Sequence, residues 1–387
     1  MSVIGSRHLI RTRDMLGLRW LRGLRKRTIG RTRRTVALGA PAVIVGSLAA
    51  AGGISNGARL MLADLAQRGV RFHAVDVTRQ LGMAAVMPEG AGPGNELPLL
   101  PRIVHLNPPH FGRALRRLGQ AAFAGPVVGY WAWELETAPR EWIASAQLAD
   151  EIWVPSPFVR DALLNVLRQL DDAPALRVVP HAVEAGPIIP RDALIRSTAR
   201  HQLALPPDGF VAGFTFSMLA GVRRKNPEAA ISAFRAAFPA GSKDSTLLLR
   251  CVDPGKNQSA CATLRRLAAE DSRIRLVESA TCRIQDFFAA IDVLLSLHRS
   301  EGYGLILAEA LRAEIPVIAT SWSISDEISR NPLFYPVPST LIPVHDPSGP
   351  YRNFSNQRWA EPDLAAAIQH LQQLQAIHGY HIANGQA

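Results

Sequence analysis

Cysteine is scarce in this sequence, with Cys251, Cys261 and Cys282 as the only three among 387 residues. Their spacing fits no metal-binding pattern, and the odd number argues against a disulfide-bonded scaffold, so a reducing compartment is expected. The N-terminus lacks the continuous apolar core of a secretory signal peptide. The apolar stretch Ala42–Ala51 holds about ten residues, which is too short to span a membrane. These absences favour a cytoplasmic protein.

The basic charge is concentrated at the N-terminus. Residues 1–35 contain eleven Arg and Lys and one acid, so this arm carries +10 of the net charge of +11. A uniformly basic nucleic-acid-binding surface is therefore not indicated. Leu16, Trp20, Leu21 and Leu24 would share one face of a helix, which favours peripheral contact with a membrane such as the inner face of the plasma membrane. A solvated, disordered basic tail is the alternative.

The length and the pattern of apolar segments predict two α/β domains. A chain of 387 residues with 48% apolar content exceeds one ordinary core. Short apolar strands alternate with amphipathic helices throughout, which is typical of doubly wound parallel sheets. We predict a Rossmann-like N-terminal domain over 40–183, a proline-rich linker over 184–208, a second Rossmann-like domain over 209–378 and a tail over 379–387.

A glycine-containing turn follows a buried strand in the second domain. The apolar run 293–297 leads into Glu301-Gly302-Tyr303-Gly304, after which a helical pattern containing Glu309 begins. In a strand–turn–helix unit, free backbone N–H groups and the positive helix end lie outside the sheet and suit an anion such as a diphosphate. Ionised carboxylates accept hydrogen bonds from sugar hydroxyls. The alternative is a surface turn with a carboxylate near a helix N-terminus.

A second basic segment, Arg223-Arg224-Lys225-Asn226-Pro227, lies between the strand 210–216 and a predicted helix over 226–238. Pro227 suits the first helical turn, and Asn226 is predicted to cap it. Adjacent cations at a helix start oppose the helix dipole unless an anion is recruited. The segment is therefore interpreted as a diphosphate clamp, with exposed surface charge as the alternative.

Two segments of the first domain are candidate ligand contacts. Gly52 and Gly53 lie in a loop between the strand 42–48 and a helix over 58–67, although their pattern is not a dinucleotide-binding fingerprint. Trp133 and Glu134 follow the strand 127–131, at the strand end where α/β sites lie. Trp133 could stack on a sugar or belong to the core, and Glu134 could be an ordinary loop carboxylate.

Glu301 and Glu309 have the spacing of an E-x7-E signature, and the stretch resembles that of retaining glycosyltransferases with two Rossmann-like domains, the GT-B fold, family 4. The segments 129–134, 150–156 and 359–363 look like a bacterial branch acting in cell-surface polysaccharide synthesis. The resemblance implies a GT-B enzyme of the hexosyltransferase type (EC 2.4). It would move a sugar from a UDP- or GDP-sugar to a glycan or lipid-linked acceptor, with the two domains facing a cleft.

The resemblance also implies roles for individual residues. Catalytic roles fall on Glu301, Lys225 and Arg224. The donor would be bound by Glu309, Gly302, Tyr303, Gly304, Arg223 and Ser300, and the acceptor side would include Gly52, Gly53, Trp133 and Glu134. No cofactor is expected. No metal is expected either, because the chain lacks the Asp-x-Asp motif with which many other sugar transferases hold one.

The sequence departs from the family pattern in two places. Ser323-Ile324-Ser325-Asp326 replaces a more glycine-rich loop. The chain also ends soon after a helix near 362–373, whereas family members usually continue with a helix that crosses back onto the N-terminal domain. Two alternatives to the transferase therefore remain. One is a catalytically weak or truncated sugar-nucleotide-binding protein, and the other is a different GT-B sugar-phosphate enzyme.

Overall fold

The computed structural model describes residues 33–87, 90, 99–186, 192–241 and 244–383. These described residues divide into two compact units, an N-terminal unit formed by those up to 132 and 137–182, and a C-terminal unit formed by 133–136 and those from 183 onward. Most of the predicted basic arm lies outside the described residues. Its last three residues, 33–35, are described, and Arg33 donates a hydrogen bond to Asp172 at 3.0 Å. Directly after the arm, Val36 N–H donates a hydrogen bond to Glu151 at 3.0 Å.

The N-terminal unit is built on one six-stranded parallel sheet with the order β2-β1-β3-β4-β5-β6. Its strands are runs of apolar residues, as expected for a sheet covered on both faces. The strands are β1 Ala42–Gly46, β2 Phe72–Asp76, β3 Arg102–His105, β4 Val127–Tyr130, β5 Glu151–Val154 and β6 Ala175–Val178. The helices are α1 Gly53–Gln67, α2 His110–Leu118, α3 Ile143–Ala146 and α4 Pro157–Leu167, with 3-10 turns at Gly119–Phe123 and Arg140–Trp142.

The C-terminal unit contains a second six-stranded parallel sheet, with the order β12-β11-β10-β7-β8-β9. Its strands are β7 Phe210–Ser217, β8 Ser245–Val252, β9 Ile274–Glu278, β10 Val293–Ser296, β11 Val317–Thr320 and β12 Phe334–Val337, and a separate antiparallel pair is formed by β13 Ser339–Pro343 and β14 Arg358–Pro362. The helices are α5 Ala193–Gln202, α6 Val222–Lys225, α7 Pro227–Ala237, α8 Gln258–Ala269, α9 Ile284–Ala290, α10 Leu305–Arg312, α11 Asp326–Ser329 and α12 Leu364–Ala383. Short 3-10 turns lie at Val183–Ala185, Met218–Ala220 and Pro254–Lys256.

These two sheets confirm the predicted fold class of two Rossmann-like α/β domains. Several boundaries differ from the prediction. Helix α1 begins at Gly53 rather than at Ala58, and the final helix continues to Ala383, into the segment predicted as a tail. Within the predicted linker, Asp192 caps helix α5 by accepting a hydrogen bond from Ile195 N–H at 2.8 Å.

Trp133 and Glu134 group with the C-terminal unit, whereas the sequence placed them in the first domain. Residues 133–136 leave the N-terminal unit after β4 and pack with the C-terminal unit. Leu135 belongs to an apolar cluster with Tyr351 and Trp359, and Trp133 packs against Phe354 with ring centroids 5.3 Å apart. The gain from burying these large apolar side chains explains why the segment leaves its own sheet.

Candidate active site

The strand order of the C-terminal sheet locates its ligand crevice. Strand β7 is the first strand of this sheet in the chain, and it lies between β10 and β8. The connections therefore run in opposite directions on its two sides, and open α/β sheets bind ligands at the carboxyl ends of strands at such a reversal. The loops that leave β7 and β10 at this point are residues 218–226, called here the basic loop, and residues 297–304, called the acidic turn.

The basic loop contains a separate one-turn helix, which corrects the predicted local structure. Arg223, Arg224 and Lys225 make up most of this single turn, which ends directly before Asn226 and the start of α7 at Pro227. Asn226 adopts a left-handed conformation, with φ 58°, between α6 and α7, and its side chain makes no capping hydrogen bond. Pro227 explains the break, because the residue before a proline is disfavoured in the right-handed helical region.

Lys225 and Arg224 converge on the carboxylate of Glu301. The Lys225 ammonium donates a hydrogen bond to Glu301 Oε1, and Arg224 Nη1 lies 3.3 Å from the same oxygen. The main-chain N–H of Glu301 donates to Ser323 Oγ at 2.7 Å, which fixes the backbone of the acidic turn. Arg224 is therefore the arginine that joins Lys225 at this carboxylate, while Arg223 is exposed.

The charges of this cluster are strongly coupled because the side chains are buried. Burial alone would raise the pKa of the Glu301 carboxyl, but Lys225 and Arg224 outweigh burial and lower the pKa to about 2. Glu301 is therefore ionised at neutral pH. Burial likewise lowers the pKa of His298, next to the cluster, to about 4, so its imidazole is neutral. The acidic turn thus carries one carboxylate against two cations.

Hydrogen bonds to main-chain carbonyl groups join the basic loop to the acidic turn. Arg299 N–H donates to the Arg224 carbonyl at 2.7 Å, and the Arg299 guanidinium donates to the Arg223 carbonyl at 2.7 Å. Arg224 Nη1 donates in return to the Ser300 carbonyl at 2.7 Å. Glu361 holds the Arg299 guanidinium at 2.6 Å. These contacts fix the backbone of both loops, and they orient the Arg224 guanidinium.

Gly304 is required by the conformation at the start of α10. Its φ of 92° lies in the left-handed region, and a Cβ at this position would lie 2.9 Å from the Ile328 side chain. The neighbouring residues Gly302 and Tyr303 are buried, and Tyr303 donates a hydrogen bond to Glu327 at 3.1 Å. Glu309 lies one turn into α10 and is half-buried. Helix α10 begins at Leu305, after the glycine-containing turn, as the sequence predicted.

Glu134, which the sequence predicted on the acceptor side, adds a second carboxylate beside Arg224, and Tyr351 contacts it. Tyr351 donates a hydrogen bond to Glu134 Oε2 at 3.0 Å, and Arg224 Nη2 lies 4.0 Å from Glu134 Oε1. The Ser300 hydroxyl donates to the Glu134 carbonyl. The Arg224 guanidinium carbon lies 5.9 Å from the centre of the Tyr351 ring. A second layer of contacts thus surrounds Arg224.

In the N-terminal unit, Gly52 and Gly53 are exposed at the N-terminus of α1, beyond the carboxyl end of β1. Sequence reasoning missed a buried ring cluster at the same edge of this sheet. His105 stacks on Tyr130 with centroids 4.1 Å apart, and the Tyr130 hydroxyl lies 3.3 Å from His181 Nδ1. A cavity of about 330 Å³ includes Tyr130 and His181 in its lining.

The described part of the chain contains no group of three or more His, Cys, Asp or Glu side chains arranged to hold a metal ion. Among the helices of the described ranges, none is long and apolar enough to cross a membrane. Both findings apply to those residues alone.

Comparison with known proteins agrees with this architecture. Residues 213–349 match the family model described as glycosyl transferases group 1, and this range includes the basic loop and the acidic turn. No curated protein sequence matches the chain. Sucrose-phosphate synthase from Thermosynechococcus elongatus shares the fold with a TM-score of 0.55 at 18% identity, over 88% of this chain and 91% of that one.

Two further solved structures have the same fold. A glycosyltransferase from Rickettsia africae ESF-5 gives a TM-score of 0.54 at 12% identity, over 89% of this chain and 98% of that chain. WaaG, a glycosyltransferase involved in lipopolysaccharide biosynthesis, gives 0.50 at 15% identity, over 89% and 95%. At these identities the likeness establishes the fold, which is GT-B. The family match and this fold together support a glycosyltransferase.

Proposed function

We propose that the protein is a retaining glycosyltransferase of family 4 that moves a hexosyl group from a nucleotide-sugar donor to a glycan or lipid-linked acceptor. The observation that carries the proposal is the convergence of Lys225 and Arg224 on Glu301 at the strand reversal of the C-terminal sheet. This convergence lies inside the range matched by the glycosyltransferase family model. A diphosphate, a sugar hydroxyl and a ribose are the ligand groups that such a set of side chains suits.

The cation pair would stabilise the leaving group. When a nucleoside diphosphate departs, negative charge develops on its β-phosphate, and catalysis requires stronger stabilisation of that charge in the transition state than in the ground state. Arg224 offers a planar fork to two phosphate oxygens, and Lys225 offers a compact point charge. In this proposal the two side chains supply the electrostatic stabilisation without a divalent metal. The N-terminus of α10 adds partial positive charge nearby.

The carboxylates would recognise the hydroxyl groups of the donor. Glu301 would accept a hydrogen bond from the transferred sugar, and Glu309 would accept hydrogen bonds from the nucleotide ribose. The phosphate oxygen of the leaving group would help to remove the acceptor proton in a front-face transfer. Gly52 and Gly53, exposed at the carboxyl edge of the other sheet, remain candidates for the acceptor. Ser300 holds its neighbours in place through the Glu134 carbonyl.

A role in cell-envelope polysaccharide synthesis is proposed on the sequence resemblance, and it accords with the involvement of WaaG in lipopolysaccharide biosynthesis. In this proposal the protein is cytoplasmic, and the basic arm, residues 1–35, makes a peripheral contact with the inner face of the plasma membrane.

A donor screen tests the proposed function. Thermal unfolding of the full chain would be followed with a panel of UDP- and GDP-sugars, because a ligand that binds only the folded state raises Tm. The stabilising donor would then be incubated with glycan and lipid-linked acceptors, and the anomeric configuration of the product would be determined by NMR. Retention of configuration is expected. Inversion would exclude a retaining enzyme, and binding without transfer or hydrolysis would favour the sugar-nucleotide-binding alternative.

A further inference from the structure

The charges around the proposed diphosphate position are already balanced by the protein itself. Arg224 and Lys225 supply two positive charges, and Glu301 and Glu134 supply two negative ones. The three side chains at the centre of the cluster are nearly inaccessible, with exposed fractions of 5% for Arg224, 14% for Lys225 and 10% for Glu301. Solvent therefore screens their interactions poorly, and a change in any one charge affects the others.

The main chain and the side chain of Glu301 have different partners. Its N–H is fixed by Ser323 Oγ, so the backbone stays where the acidic turn places it. Within the described residues, its carboxylate makes its ion pairs and hydrogen bonds with Lys225 and Arg224. A rotation of the side chain alone would thus release Lys225 and Arg224 from Glu301 without moving the turn, while Arg224 keeps its hydrogen bond to the Ser300 carbonyl.

An incoming diphosphate would need the two cations, Lys225 and Arg224, that the Glu301 carboxylate already contacts. Two or more negative charges would be added to a buried cluster whose net charge is zero, and the like charge of Glu301 would oppose them. If Glu301 were uncharged, Arg224 and Lys225 would exceed the one remaining carboxylate, Glu134, by one positive charge. A buried charge without a partner is strongly unfavourable, so an external anion would then be bound more tightly.

We propose that Glu301 is an internal anion that competes with the donor diphosphate for Lys225 and Arg224, and that donor binding exchanges one anion for the other. The idea rests on the proposed function for the identity of the ligand as a nucleoside diphosphate-linked sugar. The exchange has a consequence for specificity. The Glu301 carboxylate becomes available to a sugar hydroxyl only after phosphate oxygens have taken its cations. A bare diphosphate, which offers no hydroxyl to the displaced carboxylate, would bind less well than a sugar-bearing one.

The test compares the affinity of the wild type and of Glu301→Gln for inorganic pyrophosphate, measured by isothermal titration calorimetry. Gln keeps the shape of the side chain and removes its charge. Removing one like charge at a contact distance in a poorly solvated cluster predicts a tenfold to hundredfold tighter Kd for the variant. Glu278→Gln is the matched control, because it removes one charge from an exposed ion pair with Arg265 in the same unit and should leave the Kd unchanged.

Two further variants make the result specific. Adding Lys225→Met to Glu301→Gln should abolish the gain in pyrophosphate affinity. Arg224 would then be the remaining cation of the cluster, and Glu134 would balance its charge. If Glu301→Gln does not fold, Glu301→Asp gives the test, since the shorter side chain weakens the contact with Lys225 and predicts a smaller gain. Pyrophosphate binding that is unchanged or weaker in the folded variant, or absent in every protein, would overturn the exchange.

The same experiment separates this inference from the proposed function. Pyrophosphate titration needs no sugar and no turnover, whereas the proposed function is tested by wild-type transfer from a nucleotide sugar. A tighter Kd in Glu301→Gln together with an inactive wild type would support the exchange and contradict the transferase. Active wild type with no gain in the variant would support the transferase and contradict the exchange.

Discussion

The hydroxyl group of Tyr351 offers a sharp test of how Arg224 is positioned. It donates a hydrogen bond to Glu134 at 3.0 Å, and Glu134 in turn faces the Arg224 guanidinium. Tyr351→Phe removes the hydroxyl and keeps the ring that lies beside Arg224. The variant therefore isolates the hydrogen bond from the packing. We expect it to loosen residues 133–136 and to leave Arg224 less well oriented.

The size of the effect follows from the burial of the two partners. A hydrogen bond to a charged group contributes about 1.5–3 kcal/mol to stability. Tyr351 is buried, but 26% of the Glu134 side chain is exposed, so water can replace part of the lost interaction. We therefore expect the lower end, about 1.5 kcal/mol, which lowers Tm by about 3–6 °C for a unit of 150–250 residues. A partly misoriented guanidinium predicts a threefold to tenfold fall in kcat.

Thermal unfolding and steady-state kinetics of the purified variant would measure both effects. Tyr335→Phe is the matched control, because Tyr335 lies in the same unit and its ring packs on His370 at 5.5 Å without a role in the site. Equal Tm and kcat for the two variants would refute the idea that Tyr351 positions Arg224 through Glu134. A fall in Tm with no change in kcat would reduce its role to stability.

Four other outcomes are expected. Lys225→Ala should lower kcat about a hundredfold by removing a contact of about 3 kcal/mol to the leaving phosphate, whereas EDTA should change the rate little; loss of activity in EDTA with recovery in Mn²⁺ would contradict this. Glu309→Ala should raise the donor KM and spare kcat if it binds only the ribose; a large fall in kcat would contradict this. Deleting residues 1–32 should abolish binding to anionic vesicles and leave donor binding intact. Equal vesicle binding by the shortened chain would contradict the proposed membrane contact of the basic arm. Burial lowers the pKa of His181 and of His298 from 6.5 to about 4. As the pH drops from 6.5 towards 4, these histidines are protonated in the unfolded chain before they are protonated in the folded one, so the free energy of unfolding should fall. The free energies from urea unfolding at pH 7.5 and 4.5 should differ by a few kcal/mol, and equal values would argue against buried neutral imidazoles.

The elements that meet at the site could be predicted from the sequence because each carries a local signal. The apolar run before Glu301 predicts a parallel strand, and the glycines after it predict the turn that starts α10. A basic segment follows β7 in the same way. Because parallel strands place their carboxyl ends at one edge of the sheet, local signals of this kind are enough to bring two loops into one neighbourhood.

Local signals were not enough for the backbone between α6 and α7. The sequence predicted that Asn226 caps a single helix, with Arg224 and Lys225 opposing its dipole. The structure instead ends one short helix and starts another at Asn226, so Arg224 and Lys225 belong to a separate single turn that precedes α7. Both interpretations are compatible with Asn before Pro227, and tertiary contacts decide between them. The Arg224 carbonyl accepts a hydrogen bond from Arg299, far away in sequence, which holds α6 in place.

Glu134 was a candidate site residue, but its partners Tyr351 and Arg224 could not be predicted from the sequence. It lies 166 residues before its hydrogen-bonding neighbour Ser300 and 217 before Tyr351. Position in the chain favoured the first domain, because residue 134 directly follows a strand of that domain's sheet. What decides its location is the apolar cluster around Leu135 in the C-terminal unit, and no periodic pattern encodes such a long-range choice. The charge balance that motivates the anion exchange depends on this carboxylate, because without Glu134 the two cations would exceed Glu301 by one charge. The proposed ligand chemistry therefore depends on a four-residue segment whose placement only the folded structure reveals.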